Sequence, residues 1–186
     1  MIANPTRHIY KSAWQSRDEV RELLQGIFIA ELLRPSRCLW VISPWISDIA
    51  VVDNRVGTFN AINPSWGPRQ VRLIEILGHL LQVGTVIRLA TRPGAHNEQF
   101  IGRMRSIANR LELAQEVFGI TQTEDLHEKG LLGDDFYLSG SMNLTYNGVE
   151  LLEEAVKYDT DPGVIGEARL TYFQRWGGRL PSAPSP

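Results

Sequence analysis

The strongest limit on the fold is an alternation between two hydrophobic periods along the chain. Apolar residues three and four apart put side chains on one face of a helix, whereas short unbroken apolar runs form buried strands. After a polar N-terminal arm, Ser16-Arg17-Asp18-Glu19 reads as a capping box. Val20, Leu23, Leu24, Ile27 and Phe28 follow at helical spacing, and Arg34-Pro35 stops the helix. Residues 38–43 read as a strand halted by Pro44. A polar stretch rich in Gly, Pro and Asn then runs from about 53 to 68, long enough that a functional or mobile loop is expected. A second helix begins near Pro68, buries Leu73, Ile74, Leu77, Leu80 and Leu81, and ends at Gly84. Residues 85–91 form the next strand. A third helix turns Phe100, Met104, Ile107, Ala108 and Leu111 inward, and 116–121 is a further strand.

Residues 126–132 and 136–141 read as two strands joined by a tight turn at Gly133-Asp134-Asp135, with another short strand at 154–158. Asp161-Pro162 caps a last helix that turns Ile165, Ala168, Tyr172, Phe173 and Trp176 inward and ends at Gly177. Strands alternating with helices, followed by a hairpin, predict an α/β protein: a three-layer α/β/α sandwich around a mixed β-sheet. Residues 1–177 are expected to form a single domain and 178–186 a disordered tail. The sequence contains no internal repeat.

Composition narrows the function classes. With 186 residues, 43% of them hydrophobic, the chain can bury a substantial core, and disorder is excluded for its bulk. The longest apolar stretch, 26–33, already contains Glu31 and falls far short of a membrane span. The opening MIANPTRHIYK lacks a basic-then-apolar pattern, so no secretory signal is read and a cytoplasmic location is expected. Cys38 is the sole cysteine, which excludes an internal disulfide framework. A formal net charge of −2 argues against a nucleic-acid coat protein but not against a local basic groove. Sixteen of the 19 basic residues are arginine, and five of these fall between 88 and 110 against the single Glu98. That run, with Arg103, Arg105 and Arg110 off the apolar stripe, is either a solvated helix face or a track for phosphates, which arginine forks pair well.

The chemistry-bearing stretch is 125–154. Residues two apart in a strand share a face, so His127 and Lys129 point one way, as do Ser141 and Asn143 if the second strand reaches that far. A hairpin would bring the pairs side by side. The patch would hold an imidazole, an ammonium, a hydroxyl and an amide: a nucleophile or acid–base group beside donors for phosphoryl oxygens. A lone His-x-Lys is weak, and an isolated histidine is more often structural than catalytic. The joint spacing with Gly140-Ser141-x-Asn143 and Glu154 raises its weight.

This segment resembles the phospholipase D superfamily, whose signature is H-x-K-x4-D, then G-S-x-N and a downstream glutamate. His127, Lys129 and Asp134 match the first part, Gly140, Ser141 and Asn143 the second, and Glu154 the downstream carboxylate, with Glu153 as the fallback. The turn between Asp134 and Gly140 is one residue shorter than the common pattern, which leaves Asp134 or Asp135 for the motif aspartate. The resemblance implies that His127 attacks phosphorus to form a phosphohistidine, while Lys129 and Asn143 hold the non-bridging oxygens. It assigns Ser141 to the phosphate pocket or the hairpin. Glu154 is assigned to a far histidine ring nitrogen, and Asp134 and Gly140 to structural support.

The implied chemistry needs no metal or other cofactor. His8, His79 and His96 fall in no zinc-ligand spacing. It does need two histidines, and a chain with one motif then implies a two-fold homodimer in which two copies of His127 meet. His96 is the alternative acid within the same chain. Beyond the motif, Trp45 after the first strand either packs in a core or interface or stacks a base. Arg92, His96 and Arg103 are candidate phosphate contacts.

The expected activity is a metal-independent nuclease acting on DNA. The resemblance makes a bacterial defence or DNA-modification setting, with partner proteins, the expected context, and no membrane association is read. The alternatives are a phospholipid phosphodiesterase or transferase of the same superfamily and a non-catalytic nucleic-acid-binding module.

Overall fold

A computed structural model describes residues 6–12 and 17–176. In chain order the elements are strand β1 (Thr6–Lys11), helix α1 (Arg17–Leu33), strands β2 (Cys38–Ile42), β3 (Ala50–Asp53) and β4 (Gln70–Arg72), and helix α2 (Leu73–Gln82). Strand β5 (Val86–Thr91), helix α3 (Ala95–Arg110), strands β6 (Phe118–Gln122), β7 (Gly130–Leu132), β8 (Tyr137–Gly140) and β9 (Glu154–Asp159), and helix α4 (Pro162–Trp176) complete it. Seven strands form one sheet in the order β1-β9-β8-β7-β2-β5-β6, and β3 and β4 form a separate ribbon. β2, β5 and β6 are mutually parallel, and every other pairing in the large sheet is antiparallel. The mixed α/β sheet is the one the alternating periods predict.

Strand pleating divides the core. Leu39 and Val41 of β2 and Ile87 and Leu89 of β5 join a large cluster with Leu24 and Phe28 of α1, Leu77 of α2 and Met104 of α3. Trp40, Ile42, Ala90 and Leu132 face the other way, onto Ile165, Tyr172 and Trp176 of α4. Each such side chain buried fully contributes about 1.5–3 kcal/mol. Tyr172 is packed edge-on against Trp40 and donates to the Tyr137 hydroxyl at 3.2 Å. Burial pushes its phenol strongly up, as it does the Cys38 thiol, to about 11. At neutral pH that thiol is protonated and inert.

Several boundaries differ from the sequence expectation. The polar N-terminal arm contains β1, because pairing with β9 supplies the order that its composition does not. Ile9 and Lys11 turn inward while His8 and Tyr10 stay exposed. The second helix starts at Leu73, not near Pro68, since 70–72 pair with β3. The 53–68 loop is tied down by buried Asn54, which donates to Asn60 Oδ1 at 2.7 Å and Gly67 O at 2.8 Å and accepts from Phe59 N at 2.7 Å. Phe173, expected inward, is 39% exposed, because the α4 stripe that meets the sheet runs through Ile165, Tyr172 and Trp176. β7 is shorter than expected: β2 is halted by Pro44, so residues 126–129 have no ladder partner. Ser16 of the capping box, Gly177 and the tail at 178–186 lie outside the described residues. The α4 cap matches expectation, with Asp161 Oδ1 accepting from Gly163 N at 2.8 Å and Val164 N at 3.1 Å.

The β7–β8 turn is fixed by Asp134. Its carboxylate accepts from Arg37 N at 3.0 Å, Arg37 Nε at 3.2 Å and Arg169 Nη2 at 3.2 Å, and its own N–H donates to Ser36 Oγ at 2.7 Å. Asp135 makes only an exposed pair with Arg34. Removing a multiply bonded carboxylate costs more than breaking a surface ion pair. Asp134→Ala is therefore expected to lower unfolding stability by about 1–3 kcal/mol and Asp135→Ala by less than about 0.5 kcal/mol, as read by urea denaturation.

Candidate functional site

Strand direction decides which residues meet. β7 and β9 run opposite to β2, β5 and β8, so the starts of β7 and β9 share one edge of the sheet with the ends of the others. His127 and Lys129 precede β7, Ser141 and Asn143 follow β8, and Glu154 opens β9. Trp45 follows β2, and Arg92 and His96 follow β5. All eight lie at this edge, where loops beyond the ends of parallel strands form ligand sites in open α/β sheets. Asp134 lies at the opposite edge.

The motif pairs come together, but not as neighbours on two strands. Lys129 precedes Gly130, which is paired with Ser139, and both Lys129 and Gly140 line a small crevice with Met142 and Leu144. Lys129 Nζ donates to the His127 backbone carbonyl at 2.7 Å. The His127 ring is exposed, and Arg92 Nη2 sits 3.2 Å from its Nδ1 and 3.0 Å from its Nε2. Near-equal distances to both nitrogens put the guanidinium over the span between them rather than on one lone pair. Arg92 is itself held by Nε donating to Leu126 O at 2.8 Å. A fixed cation beside an exposed imidazole suits an incoming anion.

Glu154 is buried and accepts a hydrogen bond from the Ser141 hydroxyl. That hydroxyl also accepts from Ala155 N at 3.0 Å, while Ser141 N donates to Ala155 O at 2.9 Å. Within one chain the glutamate thus meets Ser141, and His127 meets Arg92. Gly140 adopts φ +143°, and a Cβ there would strike the Ala155 carbonyl oxygen, so the close β8–β9 approach needs glycine.

Residues outside the motif set the rim. Asn143 Oδ1 accepts from Trp45 N at 3.3 Å. Asn97, fully buried, accepts from Ile46 N at 2.9 Å and donates to Pro44 O and Arg92 O, both at 2.8 Å. Ser43 Oγ donates to Trp45 O at 2.7 Å and accepts from Leu144 N at 3.0 Å. Asn97 and Ser43 fell within stretches the sequence reading noted, but no spacing singled them out. Lys11 was missed as well. Its buried ammonium donates to Gly148 O at 2.6 Å and Val149 O at 2.9 Å, between Asn143 and Glu154. One cue existed, since a lysine is rare in this arginine-rich chain. Arg103 is paired with Asp48 at 2.7 Å, and Arg72 shares the same carboxylate. Its guanidinium is engaged in that cluster rather than standing as an unengaged cation.

No family model matches the sequence, and no curated protein matches it. Solved structures do. NucT from Helicobacter pylori is 9% identical with a TM-score of 0.53, over 92% of this chain and 95% of that one. The phospholipase D family member Nuc from Salmonella typhimurium is 14% identical with a TM-score of 0.54, over 97% of this chain and 98% of that one. The polyphosphate kinase of Porphyromonas gingivalis has a TM-score of 0.59 at 12% identity, and this chain spans 27% of its length. The likeness establishes a fold of the phospholipase D type.

Gly140→Ala tests the site's backbone. Left-handed strain and the clash with Ala155 are expected to cost about 2–4 kcal/mol, measured by urea unfolding, with Ser139→Ala nearly neutral beside it.

Proposed function

We propose that this chain, with its phospholipase D-type fold, is a metal-independent phosphodiesterase that cleaves nucleic acid, DNA in the first instance, through a covalent intermediate on His127. The observation that carries the reading is the convergence of His127, Lys129, Ser141, Asn143 and Glu154, from three separate segments, on one edge of the sheet beside Arg92.

A ring nitrogen of His127 attacks phosphorus, forming an N–P bond as the ester P–O bond breaks. The leaving oxygen takes a proton from a second imidazole. That imidazole then removes a proton from water, which attacks phosphorus and breaks the N–P bond, returning both histidines to their starting states. Lys129 and Asn143 hold the non-bridging oxygens and offset charge as it develops. Arg92 contacts the substrate phosphates near His127. The Ser141–Glu154 bond fixes the wall of the phosphate pocket.

The second imidazole is supplied by a second copy in a two-fold dimer. Glu154 has no histidine of its own chain among its partners in the described residues, so its expected bond to a ring nitrogen is assigned to the partner subunit's His127. A host complex of defence or DNA-modification proteins would account for a nuclease with no overall basic charge.

In excess EDTA the wild-type protein is expected to cleave DNA, with His127→Ala slower by at least about 10³-fold and Lys129→Ala or Asn143→Ala by about 10²–10³-fold. Gel assays on labelled DNA read this, alongside sedimentation. A wild-type protein that cuts no DNA, or an active strict monomer, contradicts the corresponding part of the reading.

A further inference from the structure

The loop after β2 carries an unusual combination: a tryptophan that is 38% exposed on a backbone clamped from three directions. The Pro44 carbonyl accepts from Asn97 Nδ2 at 2.8 Å, Thr91 Oγ1 at 3.1 Å and Arg92 N at 3.3 Å. Trp45 itself is held at both ends, its N–H on Asn143 Oδ1 at 3.3 Å and its carbonyl on Ser43 Oγ at 2.7 Å. Ile46 N donates to Asn97, and Ile46 bridges to Leu144. The clamp fixes the point from which the indole projects, and the ring remains 38% exposed there although burying it would be favourable. A large aromatic surface held open beside a polar site is the pattern of a contact surface for a ligand.

The ring does not stand alone. His96 lies edge-on to Trp45, with centroids 5.8 Å apart and planes at 84°, and its Nε2 is fixed by Ser47 Oγ at 3.1 Å. Two perpendicular aromatic walls make a corner. The loop that carries the corner is tied to the proposed phosphate-binding residues on both sides: the Trp45 backbone N–H donates to Asn143, and Pro44 O accepts from the N–H of Arg92, whose guanidinium lies against His127. A planar group attached to a phosphate held by these residues would lie on the same edge of the sheet as the corner.

We infer that Trp45 and His96 form a stacking corner for an unpaired nucleobase next to the scissile phosphate, so that the substrate class is single-stranded nucleic acid. This rests on the phosphodiesterase reading for the meaning of the site. In a duplex the base faces are already stacked inside the helix, and a side chain at the phosphate edge cannot reach them without unpairing. In a single strand each base offers a face, and stacking on an aromatic side chain is tolerant of sequence.

The test separates binding from cleavage by placing every variant on His127→Ala. Fluorescein-labelled dT12, alone or annealed to dA12, is titrated and followed by anisotropy. The single strand is expected to bind at least about tenfold more tightly than the duplex. Adding Trp45→Ala is expected to weaken the single strand by about 5- to 150-fold while the duplex changes less than about twofold, and Trp45→Phe to restore most of the loss. Circular dichroism checks that the exposed substitution leaves the fold intact. Equal losses for both forms, no loss for the single strand, or a Trp45→Ala protein that changes oligomeric state in sedimentation would each overturn the inference. Equal rates on single-stranded and duplex DNA for the wild type in EDTA would also overturn it, yet leave the phosphodiesterase reading standing. Trp45-dependent binding of dT12 with no cleavage of any DNA by the wild type would sink the phosphodiesterase reading and leave the corner.

Discussion

The antiparallel pairing of Trp40, Val41 and Ile42 with Leu132, Leu131 and Gly130 puts the start of β7 beside the end of β2. Had β7 continued the parallel set, His127 and Lys129 would sit at the opposite edge from Trp45 and Arg92. The same reversal, repeated between β8 and β9, sets Ser141 against Glu154. Asp134 holds the turn that reverses the chain between β7 and β8, by binding the chain just before β2 through Arg37 and α4 through Arg169. Asp134 and His127 thus lie at opposite edges, joined by β7. One carboxylate far from the site fixes the hairpin on which the site is built.

Charge follows a similar division of labour. The five arginines between 88 and 110 are not one uniform track. Arg103 is drawn to Asp48 together with Arg72, which ties the α3 surface to the loop after Trp45. Arg92 binds His127, whereas Arg88 is buried and donates to the Glu116 carbonyl at 2.7 Å, its guanidinium pulled below the usual range by desolvation. Five arginines that look alike in sequence do structural, positioning and solvated work. A chain with little excess positive charge can still present a cation where the site needs one.

Much of the fold was legible because core and pattern agree. Buried strands such as β2 and β5 read as unbroken apolar runs, and α3 carries its stripe as spaced. β1 was not legible, because only Ile9 and Lys11 of its six residues turn inward and its order comes from β9. β3 and β4 were hidden for the same reason: two short strands whose pairing is set by the loop between them. At the site, residue types and spacing led to His127, Lys129, Ser141, Asn143 and Glu154, but they suggested two extended strands side by side. The chain instead leaves the ladder at 129 and after 140, since Pro44 ends the strand that β7 would have needed. The clamp made by Asn97, Ser43 and Thr91 left no periodic trace. Such hydrogen bonds depend on where loops meet, which spacing along one chain does not encode.

The most direct measurement is to trap the intermediate. Wild-type protein mixed with a short oligonucleotide in EDTA, quenched in alkali within milliseconds to seconds, is digested and read by mass spectrometry. A nucleotide adduct on the peptide carrying residue 127, absent from His127→Ala and lost on acid treatment, is the expected result. Cleavage that proceeds at full rate with no adduct on that peptide, or an adduct on a different residue, would contradict the account.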